Sequence, residues 1–342
     1  MTARPVRVGV VGYGYWGPNL VRNLVRLPDA ELVVASDTSE HNLAKFATTY
    51  PGVQTTPELS SLLSEYDLEA VVVATSAPSH HEIAAAVLDA GLHCYVEKPL
   101  TLTSPHAEDL VARAEERGIV LMVGHLMVYH SAVNFIKAFI DSGELGDVLY
   151  LYAQRLNLGK VRTAENAFWS LAPHDVSVVH YLLGEAPDRV SATGAAYLNS
   201  GVEDTVFANL HFPSGRMANI HVSWLDPHKI RKFTIVGTKK MLVFDDMEAT
   251  EKVWIYDKGV EPKEALAYGE DLTLRFGDIS VPYLKMAEPL GLEVQHFLDC
   301  CRSGDTPRSS GRDGLAVVSV LEAVDESIRQ GGAPVETRLE RP

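Results

Sequence analysis

The chain has 342 residues, of which 46% are hydrophobic and 22% are charged. These proportions are typical of a globular protein and exclude a fibrous repeat or wholesale disorder. The net charge is −15, and an acidic surface repels phosphate backbones, which argues against a general nucleic-acid binder. At about 150 residues per domain, the length suggests two domains.

The cysteines and the apolar runs indicate where the protein is found. Three cysteines, two of them adjacent, form no disulfide framework and favour a reducing compartment. No apolar run approaches the ~20 residues that a membrane helix needs. A strand-like run begins at Val6, which leaves no room for a signal peptide. We therefore expect a cytoplasmic protein with no membrane partner.

Residues 1–124 alternate short β-branched runs with helical patterns. Strands are predicted at 6–11, 31–36, 70–74, 92–96 and 119–123, and helices at 18–27, 81–90 and 104–117. This alternation is typical of a parallel sheet with helices on both faces. We therefore predict an α/β domain with the doubly wound Rossmann fold.

Residues 125–342 follow a different pattern. Helices are predicted at 131–142, 290–301 and 314–330, and strands at 148–153, 205–212, 217–224, 233–236, 242–244 and 253–256. In the strand pair around the turn at 213–216, apolar residues recur with a period of two, which predicts a sheet with one buried face. The prediction is an α+β domain on a mostly antiparallel open sheet, with the last helices packed back on the first domain.

The segment Gly12-Tyr13-Gly14-Tyr15-Trp16-Gly17 fits the pattern G-x-G-x-x-G between a strand and a helix. Gly12 permits the tight turn, Gly14 lets the backbone approach a pyrophosphate, and Gly17 lets the helix pack on the strand. We assign all six residues to a dinucleotide site. The alternative interpretation is a glycine-rich turn without a ligand.

Asp37 ends the second predicted strand, about 20 residues after the glycine turn. Its carboxylate can accept hydrogen bonds from a ribose 2′-hydroxyl and would repel a 2′-phosphate, so NAD is favoured over NADP. Ser36, Thr38 or His41 could still shape a phosphate site. The alternative for Asp37 is a helix cap.

Two more segments follow strands at the same edge. Thr75, Ser76, Pro78 and His80 are assigned to the cofactor site, although this loop could equally cap the next helix. The other segment is Glu97-Lys98-Pro99, in which Pro99 could fix the turn through a cis bond. A cationic nicotinamide ring would push Lys98 towards deprotonation, so Lys98 could polarise a substrate hydroxyl or relay its proton. Glu97 and Lys98 are both assigned to the cofactor site.

The glycine turn, Glu97-Lys98-Pro99, the strand ending in Gly124-His125 and the sheet-rich second half together resemble the Gfo/Idh/MocA oxidoreductase family over nearly the whole chain. The resemblance implies that Lys98 contacts the substrate hydroxyl and that a histidine of the second domain is the acid/base. The candidates are His174 and its neighbour Asp175. The family pattern Asp-x-Gly-x-His has Ser170 and Ala172 at its first two positions here. Otherwise, His174 and Asp175 would form a helix-capping pair.

A basic patch on this acidic chain suggests an anionic substrate. Arg155, Lys160 and Arg162 suit a pyrophosphate, Asn157 suits sugar hydroxyls, and Trp169 could stack on a sugar or base. The alternative is a solvated loop. Residues 155–175 and 237–259 resemble the nucleotide-sugar branch of the family. That branch implies oxidation or reduction of a UDP- or dTDP-linked sugar, often at C3.

Two other functions remain open at this point. One is a free-sugar or polyol dehydrogenase of the inositol type, and the other is a dinucleotide-binding regulator without turnover. No metal site is predicted, since the histidines have no i, i+4 spacing. The resemblance also implies a homodimer or homotetramer that buries the more polar face of the C-terminal sheet.

Overall fold

The computed structural model describes residues 4–262 and 272–338. The chain divides into two compact units, each built from two segments: Met1–Tyr129 with Ala287–Ser319, and His130–Met286 with Val320–Pro342. The first unit thus extends past the boundary predicted after residue 124 and includes a segment from late in the chain.

The sheet of the first unit is wholly parallel. Its strands are β1 (Val6–Val11), β2 (Ala30–Ser36), β3 (Gln54–Thr56), β4 (Ala70–Val73), β5 (His93–Glu97) and β6 (Leu121–Gly124). They pair in the order β3-β2-β1-β4-β5-β6. Every residue of β4 is buried, as expected for a strand covered on both faces. The doubly wound Rossmann sheet is therefore confirmed, and β3 is an additional short strand.

Helices connect these strands. They are α1 (Gly17–Arg26), α2 (Glu40–Thr49), α3 (Leu59–Glu65), α4 (His80–Asp89) and α5 (Ser104–Arg117). The three predicted helices are confirmed as α1, α4 and α5. Helix α2 was not predicted from the sequence. It buries only Phe46 and begins after Ser39, whose hydroxyl accepts a hydrogen bond from the Asn42 N–H.

The remaining elements follow in chain order. They are α6 (Ser131–Asp141), β7 (Val148–Leu156), α7 (Ala167–Leu171), α8 (Pro173–Leu183), β8 (Arg189–Ala195), β9 (Thr205–His211), β10 (Met217–Ser223), β11 (Ile230–Gly237), β12 (Met241–Asp245), β13 (Val253–Pro262), β14 (Leu272–Ser280), α9 (Pro289–Ser303), α10 (Gly311–Arg329) and β15 (Val335–Glu336).

Within the first unit, α9 packs on α1, and its N-cap residue Glu288 pairs with Arg22. None of the helices described combines the length and the apolar character of a membrane span.

The second unit contains one large sheet in the order β14-β13-β12-β11-β7-β10-β9-β8-β15. All neighbours are antiparallel except β7 and β10, so the prediction of a mostly antiparallel sheet is confirmed. The period of two holds on β9 and β10. Ala208 and Ile220 are buried, whereas Asn209 and Asn219 lie on the other face and share a hydrogen bond of 2.8 Å.

Candidate functional site

The glycine loop between β1 and α1 forms an open cradle. Gly12 has a φ of +97°, and a Cβ there would lie 2.8 Å from the Ala74 carbonyl group. A Cβ on Gly17 would lie 2.3 Å from the Gly12 carbonyl oxygen. At Gly14, in contrast, a Cβ would meet nothing within 4 Å. The fold requires the outer two glycines, whereas Gly14 leaves space that a ligand can enter.

The first turn of α1 faces this loop. The helix begins at Gly17 and receives no side-chain cap from Trp16. Pro18 has no N–H, and the Asn19 N–H donates to the Trp16 carbonyl oxygen at 2.9 Å. The positive end of the helix dipole still favours anions, so the open space at Gly14 and this helix terminus fit the diphosphate of a dinucleotide.

Asp37, directly after β2, anchors the glycine loop. Its carboxylate accepts hydrogen bonds from the Tyr13 N–H at 2.7 Å, the Ser39 N–H at 2.8 Å and the Asn42 amide at 3.1 Å. A carboxylate has about four acceptor sites, so capacity for one ribose hydroxyl remains. The capping role considered for Asp37 is therefore real, and it is compatible with a cofactor contact.

The three aromatic residues of the loop are placed differently from one another. Tyr13 is buried and stands edge-on to Phe46, with ring centroids 4.9 Å apart. The ring therefore belongs to the core beneath α2, so the assignment of Tyr13 to the dinucleotide site rests on its backbone in the glycine loop. Tyr15 is 95% exposed. Trp16 is half-buried and donates a hydrogen bond to Glu97.

The loop after β4 is held by His80. This histidine is buried, with Nδ1 at 2.8 Å from the Pro99 carbonyl oxygen and Nε2 at 3.2 Å from the Thr75 carbonyl oxygen. Burial lowers the pKa of His80, and a neutral imidazole donates to only one of these carbonyl groups at a time. His80 thus ties two loops together, while Ser76 and Pro78 are exposed beside it.

Glu97 ends β5 as a buried carboxyl group. Its Oε2 accepts the Lys98 N–H at 3.2 Å, and the Tyr95 hydroxyl lies 3.4 Å from Oε1. Burial raises the pKa of Glu97 to about 7, although the nearby Lys98 ammonium, the Lys98 N–H and Trp16 all oppose this rise. The peptide bond between Lys98 and Pro99 is cis, as predicted. Lys98 is thus held directly beside a carboxyl group that titrates near neutrality.

Gly124, at the end of β6, is a site residue that stood out in the sequence only as part of the family resemblance. It pairs with Glu97 across the strands. A Cβ at this position would lie 2.7 Å from the Tyr95 hydroxyl and 3.1 Å from Glu97 Oε2. The absence of a side chain at Gly124 therefore makes room for the Tyr95–Glu97 contact.

His174 lies in the first turn of α8, in the second unit, and is partly buried. Its neighbour Asp175 is 1% exposed and accepts from Arg155 Nε at 2.7 Å and Nη2 at 2.8 Å. Asp175 is thus the partner of Arg155, and its part in the acid/base chemistry stays a prediction. Arg155 points into the interior from β7, so it does not share a solvent-facing patch with Lys160 and Arg162. A buried guanidinium requires a carboxylate partner, which explains the pairing.

The other predicted substrate residues are spread over one stretch of the second unit. Lys160 is exposed, and Arg162 pairs with Glu165 at 3.0 Å. Asn157 is half-buried, and its backbone N–H bonds to the Ser223 carbonyl group. Trp169, on α7, donates its indole N–H to Asp325 of α10 at 2.6 Å. Its ring is therefore fixed in the second unit.

Comparison with known proteins agrees with this geometry. Residues 6–125 match the oxidoreductase family with an NAD-binding Rossmann fold, and residues 133–243 match the GFO/IDH/MocA C-terminal domain. Together the two matches span most of the chain. The first unit is accordingly an NAD-binding Rossmann domain.

Individual relatives and solved structures match three quarters or more of the chain. It is 26% identical to scyllo-inositol 2-dehydrogenase (NAD(+)) of Bacillus subtilis, covering 98% of this chain and 97% of the relative. It is 27% identical to UDP-N-acetylglucosamine 3-dehydrogenase of Acidithiobacillus ferrooxidans, over 75% and 79%. A crystal structure of a putative oxidoreductase from Magnetospirillum magnetotacticum is 31% identical, with a TM-score of 0.79 over 93% of this chain and 99% of that chain. From the glycine cradle, the two sheets and these matches, we conclude that the chain belongs to the Gfo/Idh/MocA family of oxidoreductases.

Proposed function

We propose that this enzyme oxidises or reduces a carbinol carbon of a sugar, with a UDP- or dTDP-linked sugar reacting at C3 as the leading substrate. The observation that carries the proposal is the Glu97–Lys98 pair at the carboxyl edge of the sheet that forms the glycine cradle. Further support comes from the UDP-N-acetylglucosamine 3-dehydrogenase relative. The exposed Lys160 and Arg162 are the remaining candidates for binding a diphosphate.

In this proposal, each catalytic residue has one task. Lys98 binds the substrate hydroxyl, and the Glu97 carboxylate is its counter-charge. His174 takes the hydroxyl proton during oxidation and returns it during reduction. When bound, NAD accepts or supplies the hydride at its nicotinamide ring. Asp37 favours NAD over NADP because its carboxylate would repel a 2′-phosphate.

A free polyol of the inositol type is the second candidate substrate, and one observation favours it. Arg155, the first cation of the proposed diphosphate patch, is already paired with Asp175 in the interior. The scyllo-inositol 2-dehydrogenase relative also covers almost the whole chain. Under this alternative, Lys160 and Arg162 have no phosphate to bind.

The test is a nicotinamide absorbance assay with NAD or NADH and UDP-sugars, dTDP-sugars, free hexoses and inositols. We expect turnover with nucleotide-linked sugars and a loss of kcat of about a hundredfold or more in Lys98→Ala and His174→Ala. Lys137→Ala, a surface lysine paired with Asp141, is the control and should retain activity. Turnover confined to inositols would favour the second candidate. Cofactor binding without any turnover would favour a regulator.

Two further properties belong to this proposal. We expect a homodimer or homotetramer formed through the outer face of the second sheet, and a cytoplasmic location remains a prediction from the cysteine content.

A further inference from the structure

A second buried carboxyl group, Glu293 of α9, lies near Glu97 in the first unit. It is 0% exposed, and neither of its oxygens makes a hydrogen bond of normal geometry among the residues described. Burial and the neighbouring Glu97 carboxyl raise the pKa of Glu293 well above its ordinary value, and a weak hydrogen-bonding contact with the Tyr95 hydroxyl opposes this rise. An ionised carboxylate with no cation and only this weak donor is costly in such a place, so Glu293 is uncharged.

Glu97 is the member of the pair that can ionise. It faces the Lys98 ammonium and accepts hydrogen bonds from the Lys98 N–H and Trp16. Two carboxyl groups in one buried cluster do not both ionise, and their titrations are coupled. Near neutral pH the pair therefore holds at least one proton, and Glu293 carries it.

The Tyr95 hydroxyl links the two carboxyl groups. It lies 3.4 Å from Glu97 Oε1, and its electrostatic neighbours include Glu293, Glu97 and Tyr129. A protonated Glu293 is a hydrogen-bond donor, so it can donate to the Tyr95 oxygen while the Tyr95 O–H remains directed at Glu97. Gly124 provides the space for this hydroxyl.

The surrounding shell leaves Lys98 as the cation facing Glu97. Tyr129, which follows β6, bonds to the Ser309 hydroxyl at 3.0 Å, and its pKa is raised by burial. Arg308 lies over the outer ring face of Tyr129, 5.8 Å from its centroid, and His296 and Cys300 of α9 flank that ring. Burial lowers the pKa of His296 and raises that of the Cys300 thiol to about 11, so both remain uncharged near neutral pH.

We propose that Glu293 is a positioning residue of the hydride-transfer site: it is held as an uncharged carboxylic acid and, through Tyr95, stabilises the charged form of Glu97 next to Lys98. The inference rests on the proposed function in giving Lys98 its catalytic task. No bond to substrate is involved, and the proton of Glu293 stays within the cluster.

Infrared difference spectroscopy tests directly whether Glu293 is an uncharged carboxylic acid. We expect wild type at pH 8 to show the carbonyl stretch of a protonated carboxyl group and Glu293→Gln to lack it. Glu288→Gln, which removes an exposed carboxylate from the start of the same helix, is the control and should keep the band. A wild-type protein without this band, or a band that persists in Glu293→Gln, would overturn the proposal.

The pH dependence of NADH affinity, followed by nicotinamide fluorescence, tests whether Glu293 stabilises the charged form of Glu97. We expect wild type to show an inflection near pH 7, where Glu97 ionises beside Trp16 and Lys98. Glu293→Leu, which removes the donor, should move the inflection up by about one unit, a tenfold change in proton affinity. Glu293→Gln keeps an uncharged donor and should resemble wild type. Should Glu293→Leu fail to fold, Tyr95→Phe is expected to give the same upward shift.

Other outcomes of this titration contradict the proposal. A downward shift in both Glu293 variants would mean that wild-type Glu293 is charged. An unshifted inflection in Glu293→Leu, or none in wild type, would mean that Glu293 has no influence on Glu97. Neither readout needs turnover. If Lys98→Ala kept full activity while the band and the shift were observed, the proposed function would fail and the buried pair would stand.

The pH dependence of protein stability independently checks the direction of the pKa shift of Glu293. A folded-state pKa raised above the ordinary ~4.3 means that native Glu293 retains a proton that the unfolded chain releases. At pH values below about 4.3, wild type should keep its full free energy of unfolding relative to Glu293→Gln. This relative free energy should fall as pH rises from there towards the folded-state pKa. The ratio of the two unfolding constants should grow by up to about tenfold per pH unit. A ratio independent of pH would contradict an uncharged Glu293.

Discussion

At the scale of single residues, Asp37 joins two roles. The hydrogen bonds from Tyr13, Ser39 and Asn42 place its carboxylate between the glycine loop and α2. The carboxylate therefore orders the cradle and remains an acceptor at the end of β2. Sequence spacing drew attention to this residue because it lies about 20 residues after the glycine loop.

We expect Asp37→Ala to weaken NADH binding by about tenfold or more, since hydrogen bonds to a charged group are worth about 1.5–3 kcal/mol. The discrimination against NADPH should narrow in the same variant, because the charge that repels a 2′-phosphate is gone. Fluorescence titration with both cofactors measures this, with Glu40→Ala in the first turn of α2 as the control. Unchanged affinity for both cofactors would show that Asp37 is only a cap.

The charged residues show what the sequence could not reveal at this scale. Arg155 and Asp175 were each recognisable as functional candidates from their neighbours in the chain. Their pairing depends on the inward face of β7 meeting the first turn of α8. Glu293 has no motif around it in the sequence. Its proposed positioning role depends on its proximity to Glu97, which lies far away in the chain.

At the scale of elements, the Arg155–Asp175 pair fastens α8 to β7. Both side chains are buried, and two nitrogens of the Arg155 guanidinium donate to the two oxygens of the Asp175 carboxylate. Burial by itself lowers the pKa of Arg155, and Asp175 more than restores it. His174 precedes Asp175 on α8, so this pair also fixes the helix turn that carries the proposed acid/base.

We expect Asp175→Asn to lower the free energy of unfolding by about 3–5 kcal/mol, because it leaves a buried guanidinium without its counter-charge. The double variant Arg155→Met with Asp175→Leu should lose much less, since no charge is then buried. Chemical denaturation measures both effects. Arg162→Ala, which breaks an exposed pair, is the control and should cost under about 1 kcal/mol. Equal losses in Asp175→Asn and Arg162→Ala would refute the structural role.

The strands and helices themselves were largely predictable. Apolar runs and the period of two located most strands of both sheets but missed β3, β8, β14 and β15. The 3.6-residue periodicity located α1, α4 and α5. The helices α2 and α3 were missed because each buries only one residue, Phe46 and Leu62 respectively. A helix with so narrow a buried stripe has almost no periodic signal.

At the scale of the whole molecule, the outer face of the second sheet carries exposed apolar and aromatic side chains beside polar ones such as Asn209 and Asn219. Met217 lies opposite Tyr150 on neighbouring strands, and both are exposed. Phe207 is also exposed and stacks on His221, with ring centroids 4.0 Å apart. Exposed aromatic and methionine side chains grouped on one face of a sheet are typical of a protein interface.

We expect light scattering at micromolar concentration to report a dimer or tetramer, and Phe207→Glu to shift it towards monomer by placing a charge in the interface. Leu102→Glu, at an exposed apolar position of the first unit, is the control and should leave the mass unchanged. A monomeric wild type would refute this use of the sheet.

The amino-acid sequence by itself determined the class of both sheets, the glycine cradle, the Glu97-Lys98-Pro99 turn and the family. These features depend on periodicity and on motifs whose residues are close in the chain, so local chemistry is sufficient to predict them. Only the tertiary structure decided which charges are buried and what they face: Asp175 on Arg155, Trp169 on Asp325, and Glu293 near Glu97. Desolvation depends on every element packed around a group, and no pattern along the chain records that environment.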